Sequence, residues 1–406
     1  MENAVIVPNK LSGKLVVPPS KSVAHRLLIC AALAEGESTV ENVDLSQDVC
    51  ATVTAMRALG SRLEQRGGDF VCSGGALRES SARTVIDCCE SGSTLRFLIP
   101  IALAAGGEYL FCGRGRLLSR PLEPYFAICR EKGIFFRQEE NGILFRGRLT
   151  GGEYRLAGNV SSQFISGLLF ALPQLERDST ILITTPPESV GYIDLTLAAL
   201  AQFGIAVENR GYREFFIRGG QKYRPQNCRV EGDYSQAAFY LVANALGSSV
   251  QTEGLSPDSK QGDRAILEII AQMGSPLRAA EIDVSQIPDL VPILAVLATQ
   301  AEGETRLMNA ARLRMKESDR LQTTAQELRR MGADITELAD ELRIRGKTQL
   351  HGAVCDAHND HRIAMALAIA ATAADGEVTV LGADCVKKSY GKFWEDYSRL
   401  GGNVRG

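Results

Sequence analysis

Several things are missing from this chain, and each absence excludes something. Forty-five lysines and arginines face 48 aspartates and glutamates, a net charge of only −3. No overall field therefore favours nucleic acid or an anionic membrane, and an anion site has to come from locally clustered cations. No apolar run approaches the roughly 20 residues that span a bilayer. The opening "MENAVIVPNKLSGK" lacks a basic segment followed by an apolar one, so no signal peptide and a cytoplasmic location are expected. The ten cysteines are irregularly spaced without C-x-x-C, only Cys88 and Cys89 are close together, and the four histidines complete no zinc pattern. Free thiols are expected, with no metal and no cofactor.

What is present is a soluble globular composition, 45% hydrophobic and 23% charged, in a chain too long for one ordinary core. One kind of helix recurs six times: "SVAHRLLICAALAEGES", "STLRFLIPIALAAGGEY", "SSQFISGLLFALPQLERDS", "DYSQAAFYLVANALGSS", "PDLVPILAVLATQAEGET" and "DHRIAMALAIAATAADGEV". Each opens with a residue suited to a helix start and then runs nearly all apolar, the mark of a helix buried on most sides. An amphipathic helix alternates with it and stops near Gly60, Gly133, Gly204, Gly274, Gly332 and Gly402, where left-handed caps are expected. Successive glycines lie 73, 71, 70, 58 and 70 residues apart. Runs such as "DFVCSG", "GILFRG", "STILIT" and "EFFIRG" read as strands between the helices. A unit of two helices and several strands repeated six times predicts an α/β protein of two domains, three units each, with apolar helices inside.

A helix N-terminus offers unpaired N–H groups and partial positive charge, which together bind phosphate or carboxylate. Ser and Thr at these starts are accounted for as simple caps. Lys21, Arg26, Arg96 and Arg362 are not, because the dipole disfavours cations there and a structural helix places acids instead. The loops "GRGRLLSRPLEP", "RLRMKESDR" and "CVKKSYGK" add further cations. Alone, each is a solvated charge run. Their common position beside the same helices points to convergence on one site for small, multiply anionic ligands, where Arg forks suit carboxylate or phosphate.

These residues resemble 5-enolpyruvylshikimate-3-phosphate synthase. The signatures "PPSKSVAHR", "ESGSTLRF", "SRPLEPY", "VSSQFISGL", "SVGYIDLTL", "EGDYSQAAF", "QIPDLVPILA", "RMKESDRL", "NDHRIAMALA" and "KKSYGKFW" follow in order from Pro18 to Trp394. The resemblance implies an inside-out α/β fold of two domains, each of three βαβαββ units with buried helices and outer sheets. Residues 19–229 would form one domain, 1–18 with 230–406 the other, and the active site would lie in the cleft between them. It implies transfer of the carboxyvinyl group of phosphoenolpyruvate to shikimate 3-phosphate, with no nucleic acid or membrane partner, competitive inhibition by glyphosate, and a monomer.

By the same resemblance Lys21 serves both substrates. Ser22, Arg26, Ser161, Ser162, Gln163, Ser189, Tyr192, Asp289 and Lys316 would hold shikimate 3-phosphate. Gly92, Arg120, Gln163, Arg320, Arg362 and Lys388 would surround phosphoenolpyruvate, with Arg96, His361 and Arg312 as weaker candidates. Asp289 would be the base and Glu317 the proton donor, assisted by Lys21. Alone, Asp289 reads equally as an N-cap and Glu317 as a first-turn acid favoured by the dipole. Gly92 has no side chain, so the backbone can approach a ligand closely. Two residues depart from the pattern: Arg312 stands where many members have Asn, and Glu90 where Asn is common.

The nearest rival is UDP-N-acetylglucosamine enolpyruvyl transferase, which typically has Lys-Asn at Lys21-Ser22 and a reactive Cys in the arginine loop. An inactive anion-binding paralogue would lack the acid or base, and both are present. Binding to RNA ends is disfavoured by weak basicity and the lack of an aromatic stacking stripe.

Overall fold

The computed structural model describes residues 1–75, 77, 79 and 82–406. They divide into two compact units: Pro19–Glu231, and Met1–Pro18 together with Gly232–Gly406. Each unit has its own hydrophobic core.

Among the described residues twelve α-helices alternate as the sequence pattern predicts. The apolar set is Lys21–Leu33, Gly92–Ala105, Ser162–Ala171, Tyr234–Ala245, Val291–Thr299 and His361–Ala371. Every residue of the last two is buried, which explains their Ala and Leu content: small or rotamer-defined side chains pack on all sides without leaving a polar group unpaired. The second set is Gln47–Ala58, Glu123–Lys132, Val190–Gln202, Ile266–Met273, Arg320–Arg330 and Phe393–Arg399, each with a polar face outward. Gly60, Gly133, Gly204, Gly274 and Gly332 take positive φ at the ends of the first five. At the sixth the positive φ of 90° belongs to Gly401, not to Gly402. Gly402 is needed for space instead, since a Cβ there would meet the Tyr397 ring at 2.2 Å.

Among the described residues, five four-stranded sheets share one plan, an edge strand parallel to its neighbour and then two antiparallel strands, which form a hairpin in four of the five and come from the two chain ends in the other. In one, Gly152–Leu156 runs parallel to Ser179–Ile183, which pairs antiparallel with Glu214–Ile217 in the register Ile181↔Phe215. Ser179, Ile181 and Ile183 point inward, the period-2 pattern of a sheet with one face on the core. The N-terminal strand Ala4–Val7 pairs with Val378–Leu381 and Asn403–Arg405, which ties the chain start to the C-terminal unit. The sixth sheet has two strands, Ser12–Val16 and Ser249–Glu253. Here Ile266–Met273 leads after only a short connection to the strand Glu281–Asp283, without the hairpin that follows Arg320–Arg330. That missing hairpin accounts for the interval of 58 residues, where the others are 70 or more.

Candidate functional site

In the Pro19–Glu231 unit, the starts of the apolar helices carry most of the expected residues. Lys21 is the first residue of its helix, whose N-cap Ser20 makes no side-chain cap. Lys21 Nζ reaches 2.7 Å to Asp48 Oδ2 on the neighbouring amphipathic helix. One turn on, Arg26 is buried and ties two helix starts together. Its Nε donates to Thr196 Oγ1 at 2.8 Å, and its two terminal nitrogens donate to the Ser22 and Tyr192 carbonyls at 2.7 and 2.9 Å. Its guanidinium carbon lies 5.1 Å from the centre of the Phe97 ring. All these acceptors are neutral, and no carboxylate pairs with Arg26 among the described residues. Burial pulls its pKa down to about 10, which still leaves the group charged at pH 7.

A second cluster forms around Gly92, the first residue of its helix, capped by Ser91 Oγ accepting from Thr94 N at 3.2 Å. Arg96 Nη1 donates to Gln163 Oε1 at 2.7 Å, and Gln163 Nε2 donates to Ser93 Oγ at 3.0 Å. The Gln163 amide is thereby fixed in orientation. Buried Arg120 comes from the arginine loop to the same place, with Nη1 3.0 Å from where a Gly92 side chain would begin. Ser161 caps its helix, accepting from Gln163 N at 3.3 Å, and Ser162 is buried in the first turn. Ser189, at φ 56°, is a non-glycine residue in the left-handed region immediately before the helix that carries Tyr192. The other loop arginines do not converge: Arg114 is exposed and pairs with Asp87, and Arg116 is exposed. Glu90 lies against Gly115 of that loop.

In the C-terminal unit, an ion network collects residues from four segments. Asp289 sits in the first turn of the 3-10 helix Pro288–Leu290, whose N-cap position is Ile287. Its Oδ1 accepts from Lys316 Nζ at 3.2 Å and Arg320 Nη1 at 3.0 Å, and its Oδ2 from Arg362 Nη2 at 2.9 Å. Glu317 precedes the N-cap Asp319, so it is no first-turn acid; its Oε2 accepts from Arg320 Nη2 at 2.6 Å. Arg320 is 1% exposed and also grips fully buried Asp360, at 2.9 and 3.2 Å. Burial opposes the charge on Arg320, yet Asp360, Glu317 and Asp289 outweigh that and hold its pKa above the usual arginine value. Desolvation lowers the pKa of Lys316 against the pull of Asp289, with Arg320 and Arg312 adding to the fall. Lys388, buried, donates to the Asn359 carbonyl at 2.7 Å, and His361 is buried beside the N-cap Asp360. Arg314 does not join, being held by Asp319 and Glu337.

Several neighbours of the candidate site residues escape a reading of the sequence. Asp48 lies 27 residues from Lys21 on a different helix. Asp263, which contacts Ser235 Oγ, which in turn lies 3.3 Å from Arg362 Nη2, belongs to a short 3-10 turn of no distinctive pattern. Burial, with the negative charge of Asp289 adding, pushes the Asp263 carboxyl up to about 6. Among the described residues no group of His, Cys, Asp and Glu is arranged to hold a metal, and no helix is long and apolar enough to cross a membrane. All ten cysteines are free thiols.

Buried cations with anionic and neutral partners at helix starts are what the ten motifs imply, and the family model for EPSP synthase (3-phosphoshikimate 1-carboxyvinyltransferase) matches residues 5–397. The chain belongs to this family. The resemblance carried by the motifs is borne out over the full length. A 3-phosphoshikimate 1-carboxyvinyltransferase of Clostridium perfringens is 48% identical over 423 residues, covering the whole of both chains. One from Clostridioides difficile is 44% identical, covering 100% of this chain and 98% of its own. The solved EPSP synthase of Acinetobacter baumannii superposes with a TM-score of 0.83 at 28% identity, covering 100% and 99% of the two chains. The enolpyruvyl transferase NikO from Streptomyces tendae, at 19% identity and a TM-score of 0.81 over 99% and 98%, shares the fold. As in other EPSP synthases, the architecture is mixed α/β with several small sheets.

Proposed function

We propose that this EPSP synthase transfers the carboxyvinyl group of phosphoenolpyruvate to the 5-hydroxyl of shikimate 3-phosphate and releases phosphate, on the cytoplasmic route to chorismate and the aromatic amino acids. The observation that carries this reading is Arg26: a buried, charged guanidinium whose protein partners are all neutral oxygens. A buried charge without a counter-ion is costly, and an anionic ligand supplies the missing one. Ser22, Ser161, Ser162, Ser189 and Tyr192 would join Arg26 in holding shikimate 3-phosphate. Gly92, Arg120, Gln163, Arg320, Arg362 and Lys388 would hold phosphoenolpyruvate, with Lys21 between the two.

Asp289 would take the proton of the 5-hydroxyl as its oxygen attacks C2 of phosphoenolpyruvate, while Glu317, assisted by Lys21, protonates C3. Loss of a C3 proton and of phosphate from the tetrahedral adduct then regenerates the double bond. The three cations on Asp289 restrain its basicity in the free protein. Incoming carboxylate and phosphate oxygens compete for the same cations, and that competition makes Asp289 a better base only when substrate is bound. Glyphosate would compete with phosphoenolpyruvate in the space that Gly92 leaves open, and the protein would act as a monomer.

The test is phosphate release from phosphoenolpyruvate with either shikimate 3-phosphate or UDP-N-acetylglucosamine as acceptor, beside Asp289→Asn and Glu317→Gln. Release with shikimate 3-phosphate alone, reduced about 10²–10⁴-fold in each variant, is the expected result. Release only with the nucleotide sugar would replace the acceptor. Binding without release would make the protein an inactive anion-binding relative.

A further inference from the structure

Glu327 is a carboxylate in an unfavourable place. It lies in the last turn of the Arg320–Arg330 helix, where the dipole disfavours negative charge, and its side chain is 1% exposed. Neither position serves the helix. Its partners explain it: Oε2 accepts from the backbone N of Asp356 at 3.0 Å and lies 3.2 Å from Arg330 Nε, while Oε1 is 2.9 Å from His358 Nε2. Asp356 Oδ1 in turn accepts from His358 N at 2.6 Å.

The segment so held leads from the edge strand Val354–Asp356 into the His361–Ala371 helix. Within it His358 and Asn359 are consecutive non-glycine residues with φ of 51° and 53°, a left-handed pair that is uncommon outside glycine even for these two residue types and that the contacts of Glu327 and Asp356 hold in place. What the turn presents is functional. The Asn359 carbonyl receives Lys388 Nζ at 2.7 Å, Asp360 Oδ2 receives Arg320 Nε at 2.9 Å and Ser318 Oγ at 3.1 Å, and Asp360 Oδ1 caps Arg362 N at 3.0 Å. One helix thus grips the same turn at two points, through Arg320 at its start and Glu327 two turns later.

We propose that Glu327 is a positioning residue, acting through His358 and Asp356 to hold the 356–360 turn in the conformation that aims Lys388, Arg320 and Arg362. The inference rests on the assignment of those three cations to phosphoenolpyruvate. Glu327 touches no substrate, so its loss acts on phosphoenolpyruvate binding and leaves shikimate 3-phosphate binding alone.

Glu327→Gln and His358→Ala are each expected to raise KM for phosphoenolpyruvate about 10-fold, as small misplacements of binding groups do, with KM for shikimate 3-phosphate within about 2-fold. His358→Gln, which restores a donor to Glu327, recovers most of the loss, and the double variant Glu327→Gln with His358→Ala is no worse than either single change. Amide exchange of residues 356–362 in the full chain, followed by mass spectrometry, quickens in Glu327→Gln. Unchanged exchange and unchanged KM, or an equal rise in both KM values, overturns the proposal, as does a lower melting temperature with both KM values intact. Lys388→Met is the control for the underlying assignment. If it leaves KM for phosphoenolpyruvate unchanged, that assignment fails, and the exchange measurement still decides whether Glu327 holds the turn.

Discussion

Gly92→Ala separates stability from anion binding at one carbon atom. Gly92 opens its helix with ordinary backbone angles, so alanine fits the chain there. By restricting the unfolded state it should stabilise the protein by about 0.4–1 kcal/mol. The added methyl, however, would stand 3.0 Å from Arg120 Nη1, 3.4 Å from Arg96 Nη1 and 3.6 Å from Gln163 Oε1. A relaxed carbon–nitrogen contact needs about 3.5 Å, so the Arg120 fork has to move by a few tenths of an ångström while the helix stays. Displacing the fork costs part of one charge-assisted hydrogen bond to the ligand, worth about 1.5–3 kcal/mol in full. A loss of one third to two thirds of that raises KM for phosphoenolpyruvate by about 2–30-fold. Glyphosate inhibition weakens at least as much, and KM for shikimate 3-phosphate stays within about 2-fold, since the Gln163 contact is of ordinary length. Thermal melting and steady-state kinetics on the two proteins check both halves. Inhibition as strong in Gly92→Ala as in the parent would refute the reasoning. A lower melting temperature with unchanged KM would show that the helix start yields and Arg120 does not.

Arg320→Met leaves fully buried Asp360 and the Glu317 carboxylate without their shared cation, and should cost about 3–5 kcal/mol, read as an earlier denaturant transition of the C-terminal unit. Arg26→Met should raise KM for shikimate 3-phosphate about 10–100-fold, the loss of a charged hydrogen-bonding group, while melting shifts little because an uncompensated buried charge departs with it. Asp263 carries a folded pKa of about 6 against 3.8 for the free group, so its ionisation penalty is absent near pH 3, accrues between pH 4 and 6 and is complete above that. Asp263→Asn should therefore be more stable than the parent at pH 7–8, by about 1–3 kcal/mol, and the advantage should shrink as pH falls toward 4. A stability difference independent of pH would show that folding leaves the ionisation of Asp263 unperturbed, against the raised pKa.

The sequence by itself determined much of this protein, because the relevant signals are local. Apolar content all round a helix, as in "HRIAMALAIAA", can only mean burial, and the repeated alternation with amphipathic helices follows from which faces must meet water. Cations at helix starts, against the dipole, implied anionic ligands before any contact was known. Even the missing hairpin left a mark, in the short interval between Gly274 and Gly332. Tertiary structure alone decided which charges are already neutralised. Arg114 and Arg314 look like Arg120 and Arg320 in the sequence, yet the first pair with Asp87, Asp319 and Glu337, and the second are buried among the candidate site residues. Arg26 keeps only neutral partners, Lys21 meets Asp48 from another helix, and Glu327 faces a turn about 30 residues away. Coulomb energy and desolvation depend on distance through the folded chain, and linear order carries no record of that distance until the helices have packed.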